Sequence, residues 1–263
     1  MNVNPKSSNN ISGHISIEGL VIAKFSRSVF KDMKRGQITA ANCTCSVWEN
    51  FNQTIEKLTV WNNHFKQNED LISHVKSSED ILSAQADNKV GIILGWQNTS
   101  AIENDIKKLQ IFYDLGIRVA QLTYNTQNLV GSGCWETNDG GLSDFGRDAI
   151  DEMNRLGMLV DLSHVGPKTS DQAIKHSCRP VAYTHCCPML LNHPRNKTDE
   201  QLRTIAEHGG FVGFASYTPF LPKGPETTID DCIEGINYLI NLIGEDSVGL
   251  GTCLLYTSPS PRD

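Results

Sequence analysis

The 263-residue chain contains no run of about 18 apolar residues, so no segment reads as a bilayer-spanning helix. Residues 1–13 lack the apolar stretch of a secretory signal and are rich in Ser and Asn instead. These two absences point to a cytoplasmic protein with no membrane partner. An excess of positive charge is missing too: the net charge is −7, which gives nucleic acid or an anionic membrane surface no electrostatic reason to bind. A small molecule is the default partner. The eight cysteines lack the spacing of a disulfide framework, because Cys43/Cys45 and Cys186/Cys187 sit too close together within strand-like runs, and reduced thiols are expected. Without secretion, the Asn-x-Ser/Thr triplets at Asn42, Asn52, Asn98 and Asn196 are chance matches.

What is present is an ordinary globular composition, 39% hydrophobic and 20% charged, sufficient to bury a sizeable core. Short apolar runs at 15–23, 39–47, 90–96, 119–123, 158–162, 181–184, 211–215 and 248–251 read as strands. Amphipathic segments at 26–35, 102–115, 144–156, 168–176, 199–208 and 228–243 read as helices, the fifth ending in Gly209-Gly210, glycines suited to a C-cap. Eight strands alternating with helices predict an α/β fold of the (β/α)8 TIM-barrel type, since a doubly wound sheet of this length would use fewer strands. No helix follows the eighth run, so the barrel is expected to be truncated after strand 8 and only marginally stable.

The last eleven residues, from Cys253 to Asp263, break this pattern by running from an apolar strand into a Ser-Pro repeat. They can be back-translated codon for codon as the end of a transposase-based sequencing adapter. The expectation is therefore a single barrel over residues 1–252, with 253–263 a non-native translation and the natural sequence interrupted at or just before Thr252.

In such a barrel the chemistry sits at the carboxyl ends of the strands. The fifth apolar run ends Val160-Asp161-Leu162-Ser163-His164 and the sixth ends Ala182-Tyr183-Thr184-His185, so neighbouring strands each deliver a histidine to the same end. Two imidazoles one strand spacing apart can share a metal. Glycine-rich stretches at 131–134 and 138–141 follow a strand without opening a phosphate-cradling helix and read as loop. At most one of Cys186 and Cys187 can point toward the histidines, because adjacent strand residues face opposite ways.

Longer motifs accompany these residues: Leu109-x₃-Tyr113-x₂-Gly116-Ile117-Arg118, Gly141-Leu142-Ser143-Asp144-Phe145-Gly146, Met153-Asn154-Arg155-Leu156-Gly157-Met158 leading into the His164 segment, and Thr184-His185 followed by His193-Pro194-Arg195-Asn196. With these, residues 17–252 resemble the renal/membrane dipeptidase family of zinc hydrolases. The resemblance implies a (β/α)8 barrel with two bridged zinc ions that activate a shared hydroxide against a dipeptide amide. It makes His164 and His185 ligands of the second metal and Arg195 the residue that holds the substrate carboxylate. It leaves a homodimer open.

This sequence departs from the family pattern at four places. Glu18-Gly19 is followed by Leu20-Val21-Ile22 where the family has His-x-Asp, so the degenerate ligand positions Leu20 and Ile22 are aliphatic. The bridging glutamate falls on Gln97, a neutral amide unable to offset the repulsion of two dications. A family histidine falls on Tyr124, which retains a substrate hydrogen bond, and the catalytic aspartate falls on Cys253. The expectations are a metallodipeptidase-like parent with one zinc ion, acting on a dipeptide-like substrate, and a truncated chain that binds zinc poorly and is inactive. The alternatives are a catalytically inactive barrel binding an amino-acid-like ligand or partner, or an enzyme of altered substrate class that uses the emptied first-metal pocket.

Overall fold

The computed structural model describes residues 14–256; the polar start at 1–13 and positions 257–263 of the tail lie outside the described residues. Ten strands occur among the described residues: β1 (Ile17–Ala23), β2 (Ala40–Ser46), β3 (Ile72–His74), β4 (Val90–Trp96), β5 (Ile117–Gln121), β6 (Leu159–Asp161), β7 (Ala182–Cys186), β8 (Phe211–Phe214), β9 (Val248–Leu250) and β10 (Leu254–Tyr256). Their order is β10-β1-β2-β4-β5-β6-β7-β8-β9, with β3 paired to β4 off this path, and every pairing is parallel. All eight apolar runs became strands, and β3 and β10 are additions. Eight strands form a nearly closed parallel barrel of the TIM type. Every residue of β2 and of β7 is buried, as expected of a parallel sheet covered on both faces.

The ring is joined through its last strand, which is split. The first part, β9, pairs with β8, and the second, β10, pairs with β1. At the break, Glu18 Oε1 accepts hydrogen bonds from the backbone N–H of Thr252 at 2.6 Å and of Leu20 at 3.3 Å, and Cys253 takes a left-handed φ of 54°. Burial holds the Glu18 carboxyl above its ordinary pKa, against the pull of these donors. Three glycines let the strands crowd together here. A methyl group at Gly19, Gly213 or Gly251 would overlap the backbone carbonyl of Thr184, which lies among them.

Among the described residues eight α-helices surround the strands: α1 (Arg27–Arg35), α2 (Phe51–Gln67), α3 (Ser78–Ala86), α4 (Lys108–Asp114), α5 (Asp144–Leu156), α6 (Pro167–His176), α7 (Asp199–Glu207) and α8 (Ile229–Ile243). The pattern at 102–115 becomes a 3-10 turn, Thr99–Ile102, followed by the shorter α4. Two helices, α2 and α3, are additions, each opened by a reciprocal cap, Asn50 with Gln53 and Ser77 with Asp80. Ser143 caps α5 by accepting from Gly146 N at 2.9 Å, and Gly157 ends it with a φ of 78°. These caps fix where β6 begins, and with it the approach of His164 to the barrel mouth.

Candidate active site

His185 lies in β7, and His164 follows β6 by three residues, so the two rings meet at the same end of the barrel. Both are buried and their Nε2 atoms are 3.0 Å apart. The other nitrogen of each ring is committed. His164 Nδ1 donates to Asn125 Oδ1 at 2.6 Å. Thr184 Oγ1 spends its hydrogen on Asp161 Oδ2 at 2.6 Å, so it accepts from His185 Nδ1 at 2.8 Å. Both Nε2 atoms are thereby left as lone pairs facing each other, an arrangement that a cation between them relieves. Two nitrogens on one tetrahedral zinc ion, each about 2.05 Å from it, would be about 3.3 Å apart, close to the spacing found.

Burial is the main reason both imidazoles are held well below their usual pKa, and the charges of Arg195 and Lys197 push in the same direction. Neutral imidazole is the form that ligates metal. Asp161 is buried with four donors on its carboxylate: Ser163 N at 2.9 Å, Ser163 Oγ at 2.6 Å, Thr184 N at 3.2 Å and Thr184 Oγ1. Burial still raises its pKa. Asn125 adopts a left-handed φ of 62°, which an Asn tolerates, and Gly133 gives its backbone room.

Against His164 lies a cavity of about 120 Å³, of which the fully buried His185 is not a lining residue. Its walls include Ile22, Gln97, Tyr124, His164, Arg195 and Cys253, so positions scattered over the whole sequence converge on one place. Trp135, Tyr217 and Phe220 complete an aromatic rim. Leu20 is not among the lining residues; it is buried in the core beside an irregularity in the β1–β2 register. Tyr124 stacks on His164 with ring centroids 4.1 Å apart. Gln97 Nε2 donates to Thr44 Oγ1 at 2.9 Å. Neither Cys186 nor Cys187 lines the cavity: burial drives both thiols up, that of Cys186 to about 12, and the Cys187 thiol donates to Ala215 O at 3.0 Å. A larger cavity, about 580 Å³, opens between α6 and α7 and reaches neither His164 nor His185.

Arg195 is buried and differs from a free carboxylate clamp. Its Nη1 donates to the Ser163 carbonyl and its Nη2 to the His185 carbonyl at 3.0 Å, which leaves buried Nε without a partner. Lys197, equally buried, donates from Nζ to Val165 O at 3.1 Å and lies 4.7 Å from the Tyr183 ring centre.

The residues suit one cation and not two. His164 and His185 supply a pair of nitrogens with fixed tautomers. Ile22 and Gln97 offer the cavity only an aliphatic side chain and a neutral amide, and no group of three or more His, Cys, Asp or Glu suited to a metal occurs among the described residues. Asn125 and Lys197 are site residues that no motif marked; Asp161, three positions before the strand-end His164, and Thr184, immediately before His185, lay within the quoted stretches without a role of their own.

Residues 23–256 match the family model described as Membrane dipeptidase (Peptidase family M19). An uncharacterized dipeptidase of Schizosaccharomyces pombe is 35% identical over 195 residues, which cover 71% of this chain and 47% of that protein. The chain spans about half the length of the curated relatives it matches. The crystal structure of an amidohydrolase from Pseudomonas aeruginosa superposes with a TM-score of 0.91 at 50% identity, covering 94% of this chain and 76% of that one. A metallo peptidase from Rhodobacter sphaeroides, liganded with a phosphinate mimic of the dipeptide L-Ala-D-Ala, shares the fold at 22% identity and a TM-score of 0.79, over 91% of this chain and 86% of that one. Among the described residues no helix is long and apolar enough to cross a membrane.

Proposed function

Because the chain belongs to the membrane dipeptidase family, peptidase family M19, we propose that it carries the site of a metal-dependent hydrolase that holds one zinc ion on His164 and His185 and cleaves the amide of a dipeptide or small related substrate. The observation that carries this reading is the pair of Nε2 lone pairs 3.0 Å apart, each ring locked from behind by Asn125 or by Thr184 and Asp161. When bound, zinc supplies Lewis-acid polarisation of a carbonyl and a nucleophile from water at neutral pH.

The chain's own groups do the rest. Asn125 and Thr184 keep both imidazoles in the ligating tautomer. Arg195, with its unpartnered Nε, receives the carboxylate end of the substrate, and the Tyr124 hydroxyl serves as a second polar contact. Ile22 and the aromatic rim exclude bulk water from the reacting amide. Position 253 is where the family's aspartate would move the proton, and the Cys253 thiol supplies no carboxylate for that work. The chain as it stands therefore holds zinc weakly, since a catalytic site normally has three protein ligands and a water, and turns over dipeptides poorly. Elemental analysis together with a dipeptide panel tests both statements: stoichiometric zinc with turnover in this chain overturns them.

A second reading is favoured by Ile22, Gln97 and Cys253 all lining the cavity. In it the barrel is catalytically inactive and the aromatic rim with Arg195 binds an amino-acid-like ligand. Ligand binding without metal supports it.

A further inference from the structure

We propose that Lys197 is a positioning residue for His164, a role that rests on the reading of His164 as a metal ligand. Three consecutive carbonyls around this histidine are each held by a donor from elsewhere in the chain. Ser163 O receives Arg195 Nη1, His164 O receives Cys134 N at 2.9 Å, and Val165 O receives Lys197 Nζ at 3.1 Å. Arg195 and Cys134 hold the peptide planes before and after His164, and Lys197 holds the plane that follows Val165, so the short segment carrying the His164 ring is anchored on both sides and its soft dihedrals have little freedom. Arg195 Nη2 grips His185 O at 3.0 Å in the same way, so one loop steadies both rings from the main-chain side.

The lysine is poorly explained by stability. It is 1% exposed, has no ion-pair partner among the described residues, and offers its ammonium only one carbonyl and the face of Tyr183. A buried cation so sparsely compensated is commonly replaced by an apolar side chain with no loss, or with a gain, in stability. Nor is the side chain needed to anchor its loop, because the backbone already does so: Lys197 N donates to Cys187 O and Met189 N donates to Lys197 O, both at 2.9 Å. It lines neither the cavity against His164 nor the one between α6 and α7. What remains for the ammonium is its hold on the residue after His164.

The test is Lys197→Met, which keeps the length of the side chain and removes the shorter of two donors to Val165 O, leaving Ser170 Oγ at 3.5 Å. Zinc affinity is measured by competition with a chromophoric chelator, thermal unfolding by calorimetry, and the ring nitrogens of His164 by NMR of the metal-free protein. We expect unfolding at the wild-type temperature or above, zinc affinity reduced about tenfold or more, and shifted His164 nitrogen resonances. Lys197→Arg, which keeps a donor, recovers most of the loss. Wild-type affinity and unshifted resonances in Lys197→Met overturn the proposal. So does an unfolded Lys197→Met, which would make the lysine a stability residue, and so does a Lys197→Arg variant as impaired as Lys197→Met. If the wild-type protein takes up no zinc, the hydrolase reading fails alone, and the His164 resonances still decide the role of Lys197.

Discussion

His164 and His185, 21 residues apart in the chain, present their Nε2 atoms to each other at 3.0 Å while their Nδ1 atoms are tied to Asn125 and Thr184. Holding two lone pairs in opposition is unfavourable in the empty protein, and an ion placed between them returns that energy as affinity.

Zinc added in excess should therefore raise the unfolding temperature of this chain by a few degrees, since a ligand that binds only the native state stabilises it by mass action. The rise should vanish in His164→Ala and in His185→Ala. Calorimetric scans with and without zinc decide it, and an equal rise in all three proteins places the ion elsewhere.

Asp161→Asn replaces one carboxylate oxygen by an N–H donor facing the hydroxyl or amide of Thr184. A buried donor left without an acceptor costs about 1–3 kcal/mol, which urea denaturation reads directly. The same change frees the Thr184 hydroxyl hydrogen to point at His185 Nδ1, so zinc affinity falls as well.

Gly213→Ala drives a methyl group into the Thr184 carbonyl. Overpacking of this kind costs about 1–3 kcal/mol. Because Thr184 carries the hydrogen bond to His185, the loss should appear in zinc binding as well as in stability. A variant with wild-type stability would show that the strands yield easily at this point.

Two groups, the half-buried His74 and the buried Glu18, make stability depend on pH, with opposite signs. His74, stacked on Phe65 with centroids 4.7 Å apart, is lowered to about 4, chiefly by burial and also by the charge of Lys76. Its ordinary value is about 6.5, so its contribution is complete above that value and is lost as the pH falls toward 4. Glu18 is raised above 4.5 by burial. Its contribution is complete below 4.5 and is lost as the pH rises through its folded value. His74→Phe should therefore flatten the stability profile between pH 6.5 and 4, and Glu18→Gln should make the protein at least as stable as wild type at pH 7. Unfolding temperatures measured from pH 4 to pH 8 test both signs.

The coding DNA of residues 253–263 should carry the adapter codons. Any other codons at these positions dispose of that reading.

Most of the barrel strands were legible because strands buried on both faces read as nearly unbroken apolar runs, whereas β9, half-buried with Leu250 exposed, was legible from its apolar composition alone. β3, Ile72-Ser73-His74, is too short to show a period. α2 carries a legible start, Asn50 with Gln53, and buries Thr54, Leu58 and Trp61 at helical spacing, yet its apolar face is narrow within a polar segment. His164 and His185 stood out as polar residues at the ends of apolar runs. Asn125 and Lys197 did not, because each acts on the His164 segment across 39 and 32 residues through hydrogen bonds that only the closed barrel creates. The grip of Arg195 on main-chain oxygens was hidden for the same reason: a motif marks a side chain's identity and not its partner.

The division of the last strand into two pieces of three residues each has a consequence for how the molecule comes apart. Each piece secures only one neighbour, so when either pairing opens, that half of the strand has no second strand to hold it in place. Amide exchange should be fastest along β9 and β10 and slowest in the β2–β4 region, which means that a fluctuation starting at the Glu18–Thr252 contact unfastens the wall beside Cys253 long before the opposite wall yields.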